Sequence, residues 1–292
     1  MGIDSILQAF GLIKASYASV PNSFSSEVYR VSLPEKVVFV KVPYSKEKWY
    51  REKGWLTFLG GKLAVPQLLG MIEPDENFNG AFLLSAIPGE PVENLTTKLA
   101  FEVGVLHATM HSIHSEEYGT FTETGFEAIP NNDWRQFILE AAERFQPYVE
   151  RSIDEKLAKA AWERIHRDFE ALPAPSRPCV VHMDFRLANL LVDADTLTGV
   201  IDFESTRFGS PEIDLVKLYR DSLGANEELR MAYEEGYETV RPKIPMDQFI
   251  GFFELYDAFN SIGWSVQRGL EKNRGFYGES LARLKKALEK FQ

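Results

Sequence analysis

The sequence predicts a two-lobed α+β protein in which a small sheet-rich N-terminal lobe precedes a larger, mostly helical C-terminal lobe. In roughly the first ninety residues, short runs of β-branched and aromatic residues surround one segment of helical periodicity. After residue 97 the apolar residues recur mainly at helical spacing. A chain of 292 residues is long enough for two packed lobes. We therefore expect an N-terminal lobe of residues 1–87 and a C-terminal lobe of residues 88–292.

The N-terminal lobe should contain an antiparallel sheet and one main helix. The predicted strands cover residues 28–33, 37–42, 68–72 and 81–87. The first two are separated by residues 34–36, which include a proline and favour a hairpin. The apolar residues of segment 45–59 recur at helical spacing, with Ser45 as a suitable N-cap and Gly60 as a suitable stop.

The C-terminal lobe should be built mainly from helices. Helical periodicity covers residues 97–114, 131–150 and 154–172, and continues from residue 211 to the end of the chain. Short apolar runs interrupt this pattern and predict strands at residues 179–181, 190–193 and 199–202. Residues 86–91 contain two prolines and a glycine, and they form the expected connection between the lobes.

Composition and charge narrow the classes of function. The formal net charge is −11, a field that repels phosphate backbones and anionic bilayers. We therefore expect no nucleic-acid or membrane partner, and a cationic or neutral small molecule fits better. The single cysteine, Cys179, allows neither an internal disulfide nor a thiolate metal cage. Because no secretory signal or spanning segment is recognisable, we expect a soluble, cytoplasmic protein, whose oligomeric state stays open.

One short stretch of the C-terminal lobe carries the strongest chemical signal. His182, Asp184 and Asn189 form the pattern H-x-D-x-x-x-x-N between two apolar strands, and Asp202 ends the next strand. Kinase catalytic loops place an aspartate where it accepts the proton of a substrate hydroxyl, and an asparagine five residues later where it holds magnesium. A second aspartate on the following hairpin bridges the metal to the phosphates. The four-residue spacer lets the base and the metal ligand face one cleft.

With these residues the sequence resembles the aminoglycoside phosphotransferase and choline kinase-like family of small-molecule kinases, which have a reduced, two-lobed protein-kinase-like fold. The resemblance implies that Asp184 is the catalytic base and that Asn189 and Asp202 bind Mg²⁺. It also implies that His182 supports the catalytic loop and that Asp214 buttresses it. The similarity extends from about residue 25 to residue 219. Besides the catalytic-loop residues, it includes residues 65–70, 82–91 and 209–215.

The resemblance also assigns a phosphate-binding lysine to the N-terminal lobe. Lys41 ends a predicted strand, from which its ammonium would reach the α- and β-phosphates if a carboxylate held it. Glu52 on the predicted helix is the expected partner, and Glu47 is the competitor.

The loop expected over the phosphates departs from the protein-kinase pattern. Residues 20–27 contain no glycine, so the hydroxyl and amide groups of Ser25 and Ser26 are expected to contact the phosphate oxygens instead. In the connection, Ala86 and Ile87 are the expected nucleotide contacts.

These patterns together predict a magnesium- and nucleotide-dependent kinase that transfers the γ-phosphoryl group of ATP or GTP to a hydroxyl of a small molecule. An aminoglycoside-like antibiotic is the first acceptor hypothesis, with antibiotic resistance as the expected role. A metabolic compound of the choline, homoserine or thiosugar type is the alternative. Acidic groups beside aromatic rings suit a cationic acceptor. The candidate acceptor residues are Glu204, Glu254, Tyr256 and Asp257.

Other interpretations of the same residues stay open. A catalytically inactive kinase-like binding protein would be expected to lack a base or a metal ligand, and all of them are present in the sequence. A metal-dependent hydrolase that used His182 and Asp184 as ligands would need further histidines, and His166 lies in a charged helix. Three histidines on one predicted helical face suggest zinc, but no carboxylate or cysteine near them in the sequence completes a site: His107, His111 and His114.

Overall fold

A five-stranded antiparallel sheet forms the centre of the N-terminal lobe in the computed structural model, which describes residues 1–21 and 26–289. Its strands are β1 (Ser16–Ser19), β2 (Ser26–Ser32), β3 (Val37–Pro43), β4 (Leu68–Ile72) and β5 (Ala81–Ser85), in the spatial order β1-β2-β3-β5-β4. The predicted hairpin is confirmed as β2 and β3. Lys41 lies in the middle of the sheet, because it is paired with Val28 on one side and Phe82 on the other.

Alternation along β3 sends its side chains into two different cores. Val38 and Val40 pack with α1 (Ile3–Ala9), a helix that the sequence analysis did not predict. Phe39 and Lys41 face the opposite side, toward α2 (Lys46–Leu59). This alternation is the reason that a lysine of a central strand reaches the helix beside the cleft.

The predicted helix of residues 45–59 is confirmed as α2. The Ser45 hydroxyl accepts a hydrogen bond from Lys48 N at 3.4 Å, and Gly60 follows the last turn. Residues three or four apart share a helix face, so Glu52 lies on the buried face that also carries Trp49. Glu52 is thereby directed at the sheet rather than at solvent.

Two further sheets tie the connection and the catalytic segment to the C-terminal lobe. The first contains β6 (Glu90–Pro91), β10 (Leu190–Asp193) and β11 (Thr196–Val200), in the order β11-β10-β6. The second contains β7 (Gly119–Thr122), β8 (Gly125–Ala128), β9 (Cys179–Val181) and β12 (Arg207–Gly209), in the order β8-β7-β12-β9. Because β9 and β12 are neighbours, the segment after residue 181 and the segment before residue 207 lie side by side.

Helices make up most of the C-terminal lobe. They are α3 (Thr97–His111), α4 (Trp134–Glu150), α5 (Glu155–Ala171), α6 (Leu215–Leu218), α7 (Glu227–Glu238), α8 (Ile250–Gln267) and α9 (Arg274–Glu289). One core joins α2, α3 and α7 to the catalytic strands, and a second core joins α4, α5, α8 and α9. Within residues 1–21 and 26–289, no helix combines the length and the apolar character needed to cross a membrane.

Candidate active site

The predicted catalytic loop, residues 182–189, follows β9 and turns sharply at its second residue. The Asp184 backbone N–H donates to His182 Nδ1 at 3.3 Å, so the ring proton is on Nε2, which donates to the Ile201 carbonyl at 3.0 Å. Met183 between them has a φ of +66°, a left-handed conformation that β9 alone does not impose. Both ring nitrogens of His182 are thus used inside the protein, which leaves His182 unsuited to the metal-ligand role in a hydrolase.

Two cations hold the Asp184 carboxylate. Lys217 Nζ lies 2.5 Å from Oδ1, and Arg186 Nε lies 3.3 Å from Oδ2. Burial raises the pKa of Asp184, but Lys217 and then Arg186 lower it more strongly, to about 2. Asp184 is therefore an ionised carboxylate at neutral pH. The sequence analysis did not identify Lys217, although it lies only three residues after Asp214.

The Asn189 side chain is oriented by Asp184, the predicted catalytic base. Its side-chain nitrogen donates to the Asp184 backbone carbonyl at 2.9 Å and to Asp184 Oδ2 at 3.1 Å. Both bonds use the amide nitrogen, so the amide oxygen is the atom that Asn189 offers to a metal ion. The Asn189 carbonyl also accepts a bond from Ile201 N at 2.9 Å, which fixes the loop to the segment that carries Asp202.

Asp202 lies directly after β11 in a left-handed conformation, with a φ of +74°. Its Oδ1 is 2.7 Å from Lys41 Nζ, a contact between the two lobes. Burial raises the pKa of Asp202, and the Lys41 ammonium outweighs it, so the pKa is lowered overall. Carboxylate and amide oxygens are the ligands that Mg²⁺ prefers, and Asp202 and Asn189 supply one of each.

Lys41 is the centre of a buried charge cluster. Its ammonium lies 2.8 Å from the Glu52 carboxylate and 3.6 Å from Glu204 Oε2, and the residue is 5% exposed. Burial lowers the pKa of Lys41, but Asp202 and Glu52 raise it well above its usual range. Glu47, the alternative partner, is exposed and its side chain hydrogen-bonds to Ser45 instead.

Three carboxylates surround this one ammonium. The oxygens of Glu52, Asp202 and Glu204 lie within 4.8 Å of one another. Burial raises the pKa of Glu52, and its two acidic neighbours act in the same direction. Lys48 also contacts Glu204, and the Arg51 guanidinium donates to the Glu204 carbonyl at 3.1 Å. The carboxylate oxygens of this cluster are ligands of the kind that a divalent ion such as Mg²⁺ takes.

Asp214 anchors the catalytic loop from below. Its two carboxylate oxygens accept bonds from His182 N and Met183 N, each at 2.6 Å. His107 Nε2 lies 3.3 Å from the same carboxylate and His111 Nε2 lies 3.5 Å from it. Burial raises the pKa of Asp214, while the bonds from the histidines lower it overall. This network explains how a loop with a left-handed residue is held in place.

The two histidines are buried and face tyrosines of α7. His107 Nδ1 is 2.8 Å from the Tyr233 hydroxyl, and His111 Nδ1 is 2.8 Å from the Tyr237 hydroxyl. Burial lowers the pKa of His107 and lowers that of His111 to about 3. His107 is therefore a neutral hydrogen-bond partner of Asp214, and the neutral His111 ring lies beside the same carboxylate. A carboxylate distant in sequence thus does lie next to these histidines, contrary to the expectation from the sequence.

We expect Asp214→Asn to destabilise the protein by about 3–5 kcal/mol, because an amide group would oppose one of the two backbone N–H donors. Urea denaturation measures the free energy of unfolding. Tyr233→Phe is the matched control, since it removes only the hydroxyl partner of His107 and should cost about 1 kcal/mol. Equal stabilities of the two variants would show that Asp214 does not anchor the loop.

The remaining predicted site residues occupy varied positions. Ser25 lies outside the described residues, and Ser26 begins β2, opposite Pro43. Ala86 and Ile87 lie in the segment between β5 and β6, as the predicted connection requires.

The four candidate acceptor residues do not form one acidic wall. Glu204 lies in the charge cluster of Lys41, Tyr256 is buried in the second core, and Glu254 is partly buried on α8. The Asp257 carboxylate lies 3.1 Å from Arg220 and 2.6 Å from Arg283, so its charge is already compensated by cations of the chain.

The chain is similar to known proteins in sequence pattern and in fold. Residues 16–246 match the family model described as the phosphotransferase enzyme family. No curated protein sequence matches the chain. The fold is similar to that of a thermostable mutant of aminoglycoside phosphotransferase APH(4)-Ia in its apo form, with a TM-score of 0.74 and 17% identity over 98% of this chain and 97% of that chain.

Similar structures with ligands also align along nearly the whole chain. The GDP and kanamycin complex of APH(2")-IIia has a TM-score of 0.71 and 15% identity, covering 98% of each chain. The gentamicin complex of APH(2")-IIa has a TM-score of 0.69 and 17% identity, covering 97% of this chain and 96% of that chain. At these identities the likeness establishes the two-lobed, kinase-like fold and confirms the predicted fold class.

Proposed function

We propose that this chain, which belongs to the phosphotransferase enzyme family, transfers the γ-phosphoryl group of ATP or GTP to a hydroxyl of a small molecule with the help of Mg²⁺. The observation that carries the proposal is the convergence of four side chains from both lobes: Lys41, Asp184, Asn189 and Asp202. Nucleotides occupy structurally similar proteins, as in the GDP complex and in a ternary complex with AMP-PNP and hygromycin B.

The metal would be held by the Asn189 amide oxygen and the Asp202 carboxylate. When magnesium is bound, it neutralises negative charge on the β- and γ-phosphates. The chain prepares for this role, since the bonds from Asn189 Nδ2 to Asp184 turn the amide oxygen away from that carboxylate. The Ile201 to Asn189 backbone bond keeps the two ligands at a constant separation.

Lys41 would donate to the nucleotide phosphates. Without a ligand its ammonium is shared between Glu52 and Asp202, at 2.8 and 2.7 Å. When Asp202 turns to the metal, Glu52 still holds Lys41 in place. This is the reason that a carboxylate on α2 is needed in addition to the one after β11.

Asp184 would receive and orient the acceptor hydroxyl. With a pKa of about 2 it is a weak base, so it takes the proton only as the bond to phosphorus forms. Its main contribution is therefore position and negative charge, which agrees with the loose transition state of phosphoryl transfer. Lys217 at Oδ1 and Asn189 at Oδ2 together fix the orientation of the carboxylate.

We expect Lys41→Met to weaken nucleotide binding and turnover together, lowering kcat/KM for the nucleotide by about 10- to 100-fold, the value of one or two charged hydrogen bonds. Steady-state kinetics at varied nucleotide concentration measures this loss. Lys53→Met is the control, because Lys53 lies on α2 next to Glu52 but is partly exposed and pairs with Glu73 at 3.5 Å. An effect of similar size in both variants would remove the special role of Lys41.

Each of two acceptor classes is supported by a different observation. Hygromycin B, kanamycin and gentamicin occupy similar proteins, which supports an aminoglycoside-like acceptor. A metabolic hydroxyl compound is favoured by the charges, since Asp257 is compensated by Arg220 and Arg283 and Asp184 is compensated by Lys217. A polycationic antibiotic would find few uncompensated carboxylates on this wall.

A panel of hydroxyl compounds tests the proposed reaction. Purified protein is incubated with Mg²⁺ and either ATP or GTP, and release of the nucleoside diphosphate is measured with each acceptor. We expect acceptor-dependent release with at least one class of hydroxyl compound. Tight nucleotide binding without acceptor-dependent release in any class would instead support an inactive kinase-like binding protein.

A further inference from the structure

An arginine that pairs with no carboxylate among the described residues lies beside the catalytic loop. Arg207 in β12 is directly opposite Val181 of β9, the residue before His182. Opposed residues of an antiparallel pair share a face of the sheet, and Val181 belongs to the core formed with α4 and α8. The Arg207 guanidinium follows the same direction, because its carbon lies 4.4 Å from the centre of the Phe137 ring on α4.

The charge of Arg207 is not compensated by the chain. Its Nε is buried and has no hydrogen-bond partner. Nowhere in residues 1–21 and 26–289 does a carboxylate form an ion pair with it, and its charged neighbours, Arg51 and Arg144, are also cations. Burial, followed by the field of Arg51, lowers the pKa of Arg207 to about 9. A buried cation among cations is costly unless an anion joins it.

Polar groups of α8 complete the surroundings of this guanidinium. The positive charges of Arg144 and Arg207 act to lower the pKa of Tyr256, and the Tyr256 side chain is hydrogen-bonded to Asn260. The Asn260 side-chain oxygen is buried and has no donor. We call Arg207, Arg144, Tyr256 and Asn260 the Arg207 site. It offers cations for an anionic group and one acceptor for a neighbouring hydroxyl or amine.

The Arg207 site is connected to the catalytic carboxylate through α8. Asp257 follows Tyr256 directly, and Lys217 acts on the charge of both Asp257 and Asp184. Lys217 contacts Asp184 at 2.5 Å, so α6 lies against the loop that carries Asp184. Arg207 lies near the start of the same loop, because its partner Val181 is three residues before Asp184.

We propose that the acceptor is a hydroxyl compound that carries an anionic group, a carboxylate or a phosphate, and that this group binds at Arg207 and Arg144. The inference rests on the proposed function, since it names the class of acceptor for the same reaction. The acceptor hydroxyl lies at Asp184 and the anionic group lies on the side of α4 and α8. Compounds that carry only positive charge are disfavoured by the same arginines.

Matched acceptors test the inference. The panel contains sets that differ only in one group: a neutral sugar, the corresponding sugar acid, the corresponding sugar phosphate and the amino sugar. We expect the anionic member of a productive set to have a kcat/KM about 10- to 100-fold above that of the neutral member, with the amino sugar the poorest. The two anionic members distinguish a carboxylate from a phosphate.

Arg207→Met identifies the residue responsible. We expect it to remove the advantage of the anionic acceptor through a higher KM, while kcat/KM for the neutral acceptor and nucleotide affinity stay unchanged. Arg207→Lys should restore part of the advantage. Arg151→Met is the control, because Arg151 caps α4 but is exposed and stacks on Tyr148.

Thermal unfolding gives a readout that does not depend on turnover. Because the guanidinium has no ion-pair partner, Arg207→Met should leave the Tm unchanged or raise it. If Arg207 instead stabilised the fold, the same substitution would lower the Tm. Inorganic phosphate should raise the Tm of the wild type more than that of Arg207→Met at equal ionic strength.

The outcomes separate the inference from the proposed function. Equal use of neutral and anionic acceptors, an unchanged preference in Arg207→Met, or a lower Tm of that variant would overturn the Arg207 site and leave the kinase function intact. Failure of every acceptor would count against the kinase function, and the phosphate experiment would still decide whether Arg207 binds an anion.

Discussion

Replacing Asp184 with alanine is expected to lower kcat by about 10²- to 10⁴-fold, the range for loss of a general base. The substitution removes the carboxylate that orients the acceptor hydroxyl, but it leaves Lys41, Glu52 and Asp202 in place. Nucleotide affinity should therefore stay close to that of the wild type. Steady-state kinetics with a productive acceptor and titration calorimetry with nucleotide measure the two quantities separately.

Asp193→Ala is the matched control for this prediction, since Asp193 is an exposed aspartate at the end of β10. It should keep full turnover. The Tm of both variants shows whether either one is misfolded, because Asp184→Ala also leaves Lys217 and Arg186 without their partner. A well-folded Asp184→Ala variant with unchanged kcat would exclude Asp184 from the reaction.

Replacing Asp202 with alanine should abolish the dependence of nucleotide binding on magnesium. Loss of a residue that only supports a metal ligand already costs 10- to 100-fold in affinity, so we expect a decrease of more than about 100-fold for the ligand itself. The change also frees Lys41 from its 2.7 Å contact with the carboxylate. Titration calorimetry with ATP, with and without Mg²⁺, measures the effect.

The left-handed backbone at Asp202 requires a second variant. Alanine is strained at a φ of +74°, whereas asparagine tolerates it. Asp202→Asn should therefore keep the stability of the wild type while it still loses most of the magnesium dependence. If Asp202→Asn bound magnesium and ATP like the wild type, the carboxylate would not be a ligand.

The proximity of the candidate site residues was predictable because these residues are close in sequence or lie on periodic elements. Asp184 and Asn189 belong to one loop, and two apolar runs place Asp202 beside them after a short hairpin. Lys41 follows from the alternation of β3, and Glu52 follows from the helical face shared with Trp49. Local spacing and secondary structure were therefore sufficient to predict that these side chains lie together, and the resemblance supplied their proposed roles.

The acceptor wall was not predictable because it is assembled from distant parts of the chain. Asp257 appeared available in the sequence, yet Arg220 and Arg283 reach it from two other segments. No local pattern marks Arg207 either, since its unpaired state results from the packing of β12 against α4 and α8. Charge compensation between elements is a tertiary property, so the sequence could not show that Asp257 is already paired with two cations.

Parts of the fold were missed for a related reason. The hairpin of β7 and β8 has strands of only four residues each, and β1 is exposed along its whole length. Such strands lack the apolar alternation that marks a half-buried strand. They form through their pairing: β7 with β8 and, at Gly119, with β12, and β1 with β2.

We infer that Asn189 and Asp202 hold a divalent ion beside the nucleotide. Electron paramagnetic resonance of Mn²⁺, in place of Mg²⁺, counts free and bound ions directly in the presence of ADP. We expect the wild type and Asp193→Ala to bind Mn²⁺ together with ADP, and we expect Asn189→Ala and Asp202→Ala to lose this binding. Undiminished Mn²⁺ binding in both Asn189→Ala and Asp202→Ala would contradict the account.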